Sequence, residues 1–404
     1  MKTVLLRLSG FAILPLLSLV TPLLLLPIVS SIVGGNGVSS VVSGQAIGTF
    51  AATILLWGWN VEGPVAIARS TTAIERGSIY AQSMRTRLLL SIVVLPLTAA
   101  VSAAVAVPAF RNEAISMALA TAFAGMSPAW FCIGLGQPKL LAIFDTVPRF
   151  LATALSAPLL VLSRQVWVYP VVLAIAFAIS LWAFHRRFSP RQSWFPASLS
   201  EALQGLRRQR HTAGINIASS AYATTPAPIA TVTSSPAVSG SIATADTIYR
   251  LGIFAVIALG NAFQSWAIEP GIANRVQRHR AAIWAHLALG VIGAAILTAL
   301  GPVVSGVIFA GQARATMLVC FYYGVAFFFL SASTPLIRNL LIPAGRQAYV
   351  LWCTVMSATL GIIAMLVAGI TGNPSAIPLG MALSEILLWL VLLLPALRTL
   401  RDRG

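Results

Sequence analysis

The 404-residue chain is 58% hydrophobic and only 9% charged, with a mean hydropathy of +0.89, whereas soluble domains carry about 25% charged residues. That excludes a soluble globular protein and makes the bilayer, at roughly 20 apolar residues per spanning helix, the relevant ruler. The net charge of +17 would suit nucleic acid only if a soluble domain carried it; no such domain is in the sequence, so no nucleic-acid partner is expected.

In chain order, about twelve spans are predicted, each long enough to cross the apolar layer. They lie near 9–33, 43–67, 87–107, 114–135, 141–162, 167–184, 212–232, 240–267, 283–309, 315–337, 348–370 and 376–397. All are read as helices, because a lipid-exposed segment must satisfy its own backbone hydrogen bonds. Lys2 and Arg7 before an apolar run resemble a signal peptide, but the run from Leu8 to Val33 is too long and lacks a small-residue cleavage site. Cys132, Cys320 and Cys353 all lie within apolar segments and serve as small packing residues.

The stretch 185–211, HRRFSPRQSWFPASLSEALQGLRRQRH, is the most basic in the chain. It holds Arg186, Arg187, Arg191, Arg207, Arg208 and Arg210 against one acid, Glu201. It is read as a cytoplasmic linker between an amino-terminal lobe (1–184) and a carboxyl-terminal lobe (212–404), each of six helices. With the amino terminus inside, every second connection is cytoplasmic. Of the 26 Lys and Arg residues, only Arg111, Arg164 and Arg314 then fall outside and Arg250 within a span. That asymmetry is the positive-inside signature, with both termini cytoplasmic. The group from Arg69 to Arg87 counts among the inside connections in this scheme. The outside connections, including 34–42, are too short for a receptor or enzyme domain. If the lobes are related, the axis runs along the membrane normal, as in parallel-repeat transporters.

Ionisable side chains inside spans mark candidate sites, because burying charge in lipid is costly. Arg250 lies near the middle of the eighth span with Asp246 four residues earlier, on the same helical face. Two readings stand: a self-neutralising pair facing the bundle, or a cation held by Asp246 for an anionic headgroup, since the planar guanidinium suits phosphate. Asp145 and Arg149 repeat the arrangement, either as a pathway mouth with Asp145 as an ion-coupling candidate, or as an interfacial pair whose arginine snorkels. Glu385 has no close sequence partner and is either a protonatable coupling group or an acid hydrogen-bonded to a neighbouring helix. Glu62 reads as interfacial.

The seventh span, GINIASSAYATTPAPIATVTSS (214–235), is polar for a span and should bend at Pro226 and Pro228. Its Asn216 and Tyr222 either glue helices together or line a hydrated cavity. In the second span, Trp57-Gly58-Trp59-Asn60 offers aromatic faces and an amide, suited to sugars or to interfacial packing. No phosphate loop, nucleophile elbow, paired catalytic acids or histidine cluster is seen, so the chain is expected to be no enzyme and to hold no metal or cofactor. Active transport would draw on an H+ or Na+ gradient or the membrane potential.

Several of these stretches carry a family resemblance. PIVSSIVGGNGVSS (27–40), WGWNVEGPVAIAR (57–69), PAWFCIGLGQPKLLAIFDTVPRFLAT (128–153) and SGSIATADTIYRL (239–251) resemble, in order and spacing, polysaccharide flippases of the Wzx type. These belong to the multidrug/oligosaccharidyl-lipid/polysaccharide exporter (MOP) superfamily. The resemblance implies an all-α polytopic membrane protein of about twelve helices in two six-helix lobes around a central cavity, cycling by alternating access. It implies an undecaprenyl-pyrophosphate-linked oligosaccharide as substrate, flipped across the bacterial cytoplasmic (inner) membrane, with Arg250 meeting the pyrophosphate and Asn60 near the lobe interface. Membrane lipids and the polymerase and chain-length proteins of a polysaccharide pathway are the partners implied. The chain is short for the family and has few cavity arginines. The alternatives are a cation-coupled multidrug or small-amphiphile exporter, or a membrane-embedded polymerase or sugar-lipid transferase; the latter would require a large outside loop.

Overall fold

The computed structural model describes residues 24–189, 199–268 and 275–401, and no strand occurs among them. Ten helical segments of the described chain are long and apolar enough to cross a membrane. Of the remaining expected spans, the first lies mostly outside the described residues. The seventh is helical but interrupted. Many helices leave large apolar side chains uncovered, including Ile92, Val93, Leu97, Leu162 (82% exposed) and Ile370 (78%). Apolar surface on that scale requires lipid as solvent, so the chain is an all-α polytopic membrane protein. Its contacts divide it into two units, Met1–Ser220 and Ala221–Gly404.

The first unit begins with α1 (Leu26–Leu56), whose helix is broken only at Gly34, where φ is 63°. The outside loop expected over 34–42 is therefore a correction: beyond this one residue the segment is helical. The sequence GGNGVSS looks loop-like by propensity, but small residues in a membrane helix allow close approach to a neighbour. Within this stretch a Cβ at Gly37 would stand 2.9 Å from the Phe110 ring; further along α1, one at Gly44 would stand 2.3 Å from the carbonyl oxygen of Ala114, and one at Gly48 2.3 Å from that of Ala118. The neighbour at Gly44 and Gly48 is α4 (Arg111–Phe123).

Between them, α2 (Trp59–Arg69) follows a turn with positive φ at Trp57 and Gly58. Next, α3 (Ala73–Val105) starts on a reciprocal cap: Glu75 N donates to Thr72 Oγ1 at 3.2 Å and Thr71 N donates to Glu75 Oε2 at 3.1 Å. This start lies a dozen or so residues before the predicted third span, and it draws Arg87 out of its expected connection and into the helix. After α4 the chain runs through α5 (Ala129–Gly134), α6 (Pro138–Leu141), a π-helical turn (Ala142–Thr146), α7 (Val147–Ser163) and α8 (Val168–Phe188). Tyr80, Phe131, Phe144 and Phe184 interlock edge-to-face at the centre of this unit. The described end of the basic linker is itself a helix, α9 (Leu199–Arg208), packed on α3; residues 190–198 of the linker lie outside the described residues.

Helix α10 (Arg210–Thr224) carries the chain across the division at Ser220. In the second unit α11 (Pro226–Thr233) is followed by α12 (Pro236–Ile268), α13 (Arg275–Ile308), α14 (Met317–Pro335), a π-helical turn (Leu336–Leu341), α15 (Gln347–Ile370) and α16 (Ile377–Arg401). Tyr222, Tyr249, Tyr323, Phe327, Met365 and Met381 belong to its buried core. The three cysteines are free and buried.

Candidate functional site

Proline chemistry builds the polar centre of the second unit. Pro226 has no N–H to continue the helix, so α10 stops at Thr224 and α11 begins two residues later. The last carbonyls of a helix have no partner within it. Arg250, from α12, supplies one: its Nη2 donates to the carbonyl oxygen of Ala223 at 2.5 Å. Its Nε donates to Asp246 Oδ2 at 2.7 Å, the i, i+4 pair expected from the sequence. Asp246 is fully buried, and its Oδ1 accepts from the Tyr323 hydroxyl at 3.3 Å. The Arg250 side chain stays 28% exposed. Arg250 is thus both a cap on a broken helix and a cation with an accessible edge.

Tyr222, one turn before the break, donates to Glu385 Oε1 of α16 at 2.6 Å. Glu385 is buried and its Oε2 has no partner among the described residues. The Tyr249 ring lies 5.2 Å from that of Tyr323, and its hydroxyl is likewise unpartnered. Neither Tyr249 nor Tyr323 was singled out from the sequence, since a tyrosine in an apolar run reads as core packing. The spacing of Tyr249 three residues after Asp246 and one before Arg250 was the available signal.

The first unit holds a second polar chain that the sequence showed only in part. Ser127 precedes Pro128 and is held extended, as residues before proline are, so the end of α4 is broken as well. Ser127 Oγ donates to Asp145 Oδ1 at 2.7 Å, and Arg149 Nη2 donates to the same oxygen at 3.2 Å. The Arg149 guanidinium also lies 4.8 Å from the centre of the Phe177 ring. Arg87 is fully buried; its Nη1 donates to the carbonyl oxygens of Gly125 and Ser127, each at 3.2 Å, and no carboxylate pairs with it among the described residues. The sequence reading put Arg87 in a cytoplasmic connection. The capping box Thr72-Ala73-Ile74-Glu75, which starts α3 early, is the signal that would have placed it inside the helix.

Asn216 Nδ2 donates to Asn60 Oδ1 at 3.0 Å, on the exposed surface of the first unit. Thr212 Oγ1 donates to Glu62 Oε1 at 2.5 Å. Of the tryptophans beside Asn60, Trp57 is half-buried and its Nε1 donates to the Leu206 carbonyl at 2.9 Å, while Trp59 is buried, with its ring 5.3 Å from that of Trp130. A Cβ at Gly63 would meet Trp130 at 2.2 Å, so this glycine makes the room for the stack. Among the eight candidate residues the structure therefore forms four pairs: Arg250 with Asp246, Tyr222 with Glu385, Arg149 with Asp145, and Asn216 with Asn60. No group of three or more metal-ligating side chains occurs among the described residues.

No protein-family model matches the chain, and no curated protein matches it in sequence. Solved structures do match. The lipid II flippase MurJ in an inward closed conformation aligns over 96% of this chain and 88% of its own, with a TM-score of 0.71 at 12% identity. The inward-facing conformation of a multidrug resistance MATE family transporter of the MOP superfamily aligns over 93% of this chain and 94% of its own, with a TM-score of 0.61 at 14% identity. A MOP superfamily transporter from Pyrococcus furiosus, described by the reverse polarity of its binding pocket, aligns over 98% and 95%, with a TM-score of 0.55 at 14% identity. The chain has the fold shared by this flippase and these MOP-superfamily transporters.

Proposed function

We propose that the chain is a flippase that moves undecaprenyl-pyrophosphate-linked oligosaccharide units from the inner to the outer leaflet of a bacterial cytoplasmic membrane by alternating access. The observation that carries this reading is Arg250. Asp246 and the Ala223 carbonyl fix its Nε and Nη2, yet the side chain keeps an exposed edge. A guanidinium oriented in this way is prepared to bind a phosphate oxygen with little further loss of freedom. The Asn60–Asn216 amide pair presents donors and acceptors suited to sugar hydroxyls, and Arg149, steadied by Asp145, is a further cation for the headgroup. The MurJ-like fold supports the reading. Both termini lie in the cytoplasm, and polymerase and chain-length proteins of a polysaccharide pathway act downstream. The energy comes from an H+ or Na+ gradient or the membrane potential.

The test is on lipids. In cells depleted of the protein, complete polyprenyl-pyrophosphate-linked repeat units should accumulate, accessible only from the cytoplasmic side, while surface polysaccharide falls. Undisturbed export without accumulation would remove this reading. A second reading, a cation-coupled exporter of drugs or small amphiphiles, is favoured by one observation, the buried Glu385 with an unpartnered Oε2. It expects drug sensitivity in the depleted cells and no change in polyprenyl lipids.

A further inference from the structure

One buried charge in the first unit is left unbalanced. Arg87 and Arg149 are linked through Ser127 to a single acid, Asp145, and that acid is committed: its Oδ1 accepts from Arg149 Nη2 at 3.2 Å and from the Ser127 hydroxyl at 2.7 Å. Arg87 reaches Ser127 only at its carbonyl oxygen. Arg87 is 0% exposed, and a cation taken out of water is costly unless an anion accompanies it. Its Nε donates to the Ser83 carbonyl at 3.3 Å and its Nη1 to those of Gly125 and Ser127. Nη2 has only the Met84 sulfur, at 3.4 Å, and a thioether is a weak acceptor.

Further donors beside Arg87 are buried and unused. Tyr80, Ser83 and Trp130 are 0%, 0% and 2% exposed, and Tyr80 Oη, Ser83 Oγ and Trp130 Nε1 have no hydrogen-bond partner among the described residues. Tyr80, Ser83 and Arg87 follow at i, i+3 and i+7 on α3, hence on one helical face, and the Arg87 charge reaches the Tyr80 hydroxyl. The Trp130 ring comes in from α5, its centre 6.0 Å from the guanidinium carbon. The neighbouring indole is satisfied, since Trp59 Nε1 donates to Thr86 Oγ1 at 3.1 Å. An indole N–H can only donate, so Trp130 calls for an acceptor.

We propose that a monatomic anion, a halide such as chloride, binds in the interior of the first unit between Arg87 Nη2 and the donors of Tyr80, Ser83 and Trp130. Such an ion accepts from every side and donates to none, which suits a set made only of donors, and its charge balances that of Arg87. Water donates as well as accepts and carries no charge. An oxyanion is held best by the paired donors of a guanidinium edge, and here Nε and Nη1 are spent on carbonyls. The ion ties α3 to the start of α5, across the break before Pro128. Its role is structural and does not depend on whether the chain flips a glycan.

The experiment is thermal unfolding of the purified full-length chain in detergent, at fixed ionic strength, with sodium gluconate, chloride or bromide as the salt. An ion that binds only the folded state raises the melting temperature with its concentration, so chloride and bromide should each raise it by several degrees over gluconate. Crystals grown in bromide should show an anomalous peak beside Arg87 Nη2, within hydrogen-bond distance of Trp130 Nε1. Arg87→Met should lose the halide-dependent rise. Should that variant fail to fold, Tyr80→Phe and Ser83→Ala decide: each removes one donor and keeps the cation, each should lose part of the rise, and the two together most of it. Equal melting temperatures in the three salts, a full rise in the Tyr80→Phe/Ser83→Ala double variant, or no bromide at Arg87 would each overturn the proposal. Glycan export is not a readout, so the result stands independently of the flippase reading.

Discussion

The Tyr222 hydroxyl donates to Glu385 Oε1 across 2.6 Å, joining residues 163 positions apart. Glu385 is alone in its own span, and its partner comes from the helix that proline interrupts. A carboxyl group in an apolar core needs such a donor, because an unmade hydrogen bond there costs about 1–3 kcal/mol.

Tyr222→Phe should therefore destabilise the protein by about 1–3 kcal/mol, measured by thermal unfolding in detergent. Glu385→Gln retains an acceptor for Tyr222 and should unfold close to the parent. If Glu385 carries the coupling proton, export in Glu385→Gln no longer responds to collapse of the proton gradient. A normal response would make the residue structural.

Arg250→Ala should abolish headgroup binding, but it also leaves Asp246 buried and unpaired. Removing one partner of a buried pair costs about 3–5 kcal/mol. The double variant Asp246→Asn/Arg250→Ala should recover most of that stability and still fail to export glycan. Recovery of export along with stability would show that Arg250 acts only as a helix cap.

Arg87 is a fully buried cation held by backbone carbonyls at the break after α4. Arg87→Met removes the donors that satisfy Gly125 and Ser127, and should lower stability by about 2–4 kcal/mol. Arg111→Ala, at an exposed position, should change it by less than about 0.5 kcal/mol. Comparable melting temperatures for the two variants would refute the capping role.

Gly44→Val and Gly48→Val would drive a Cβ into the carbonyls of Ala114 and Ala118. Separation of α1 from α4 should cost about 1–3 kcal/mol or more, visible as a lower melting temperature. Gly136→Ala meets no neighbour and differs in kind: its φ of 65° makes it a test of backbone strain alone, expected near 1 kcal/mol.

Composition and apolar run lengths were enough to determine an all-α membrane protein, because only a helix can close its own hydrogen bonds within an apolar segment. The i, i+4 pairs Asp246–Arg250 and Asp145–Arg149 were legible for the same reason: helical spacing alone brings those side chains together. The bend at Pro226 was legible because proline lacks the donor that continues a helix. The tertiary structure decided the rest. Whether GGNGVSS is a loop or a helix depends on whether neighbours accept its close approach, and Phe110 at Gly37 and Val107 at Ser40 do. Whether Trp59 meets a sugar or a core depends on the space that Gly63 leaves for Trp130. The partners of Glu385, Asn60 and Arg87 come from distant segments. A hydrogen bond between such segments leaves no spacing in the chain; only packing, which satisfies buried polar groups wherever their partners lie, determines it.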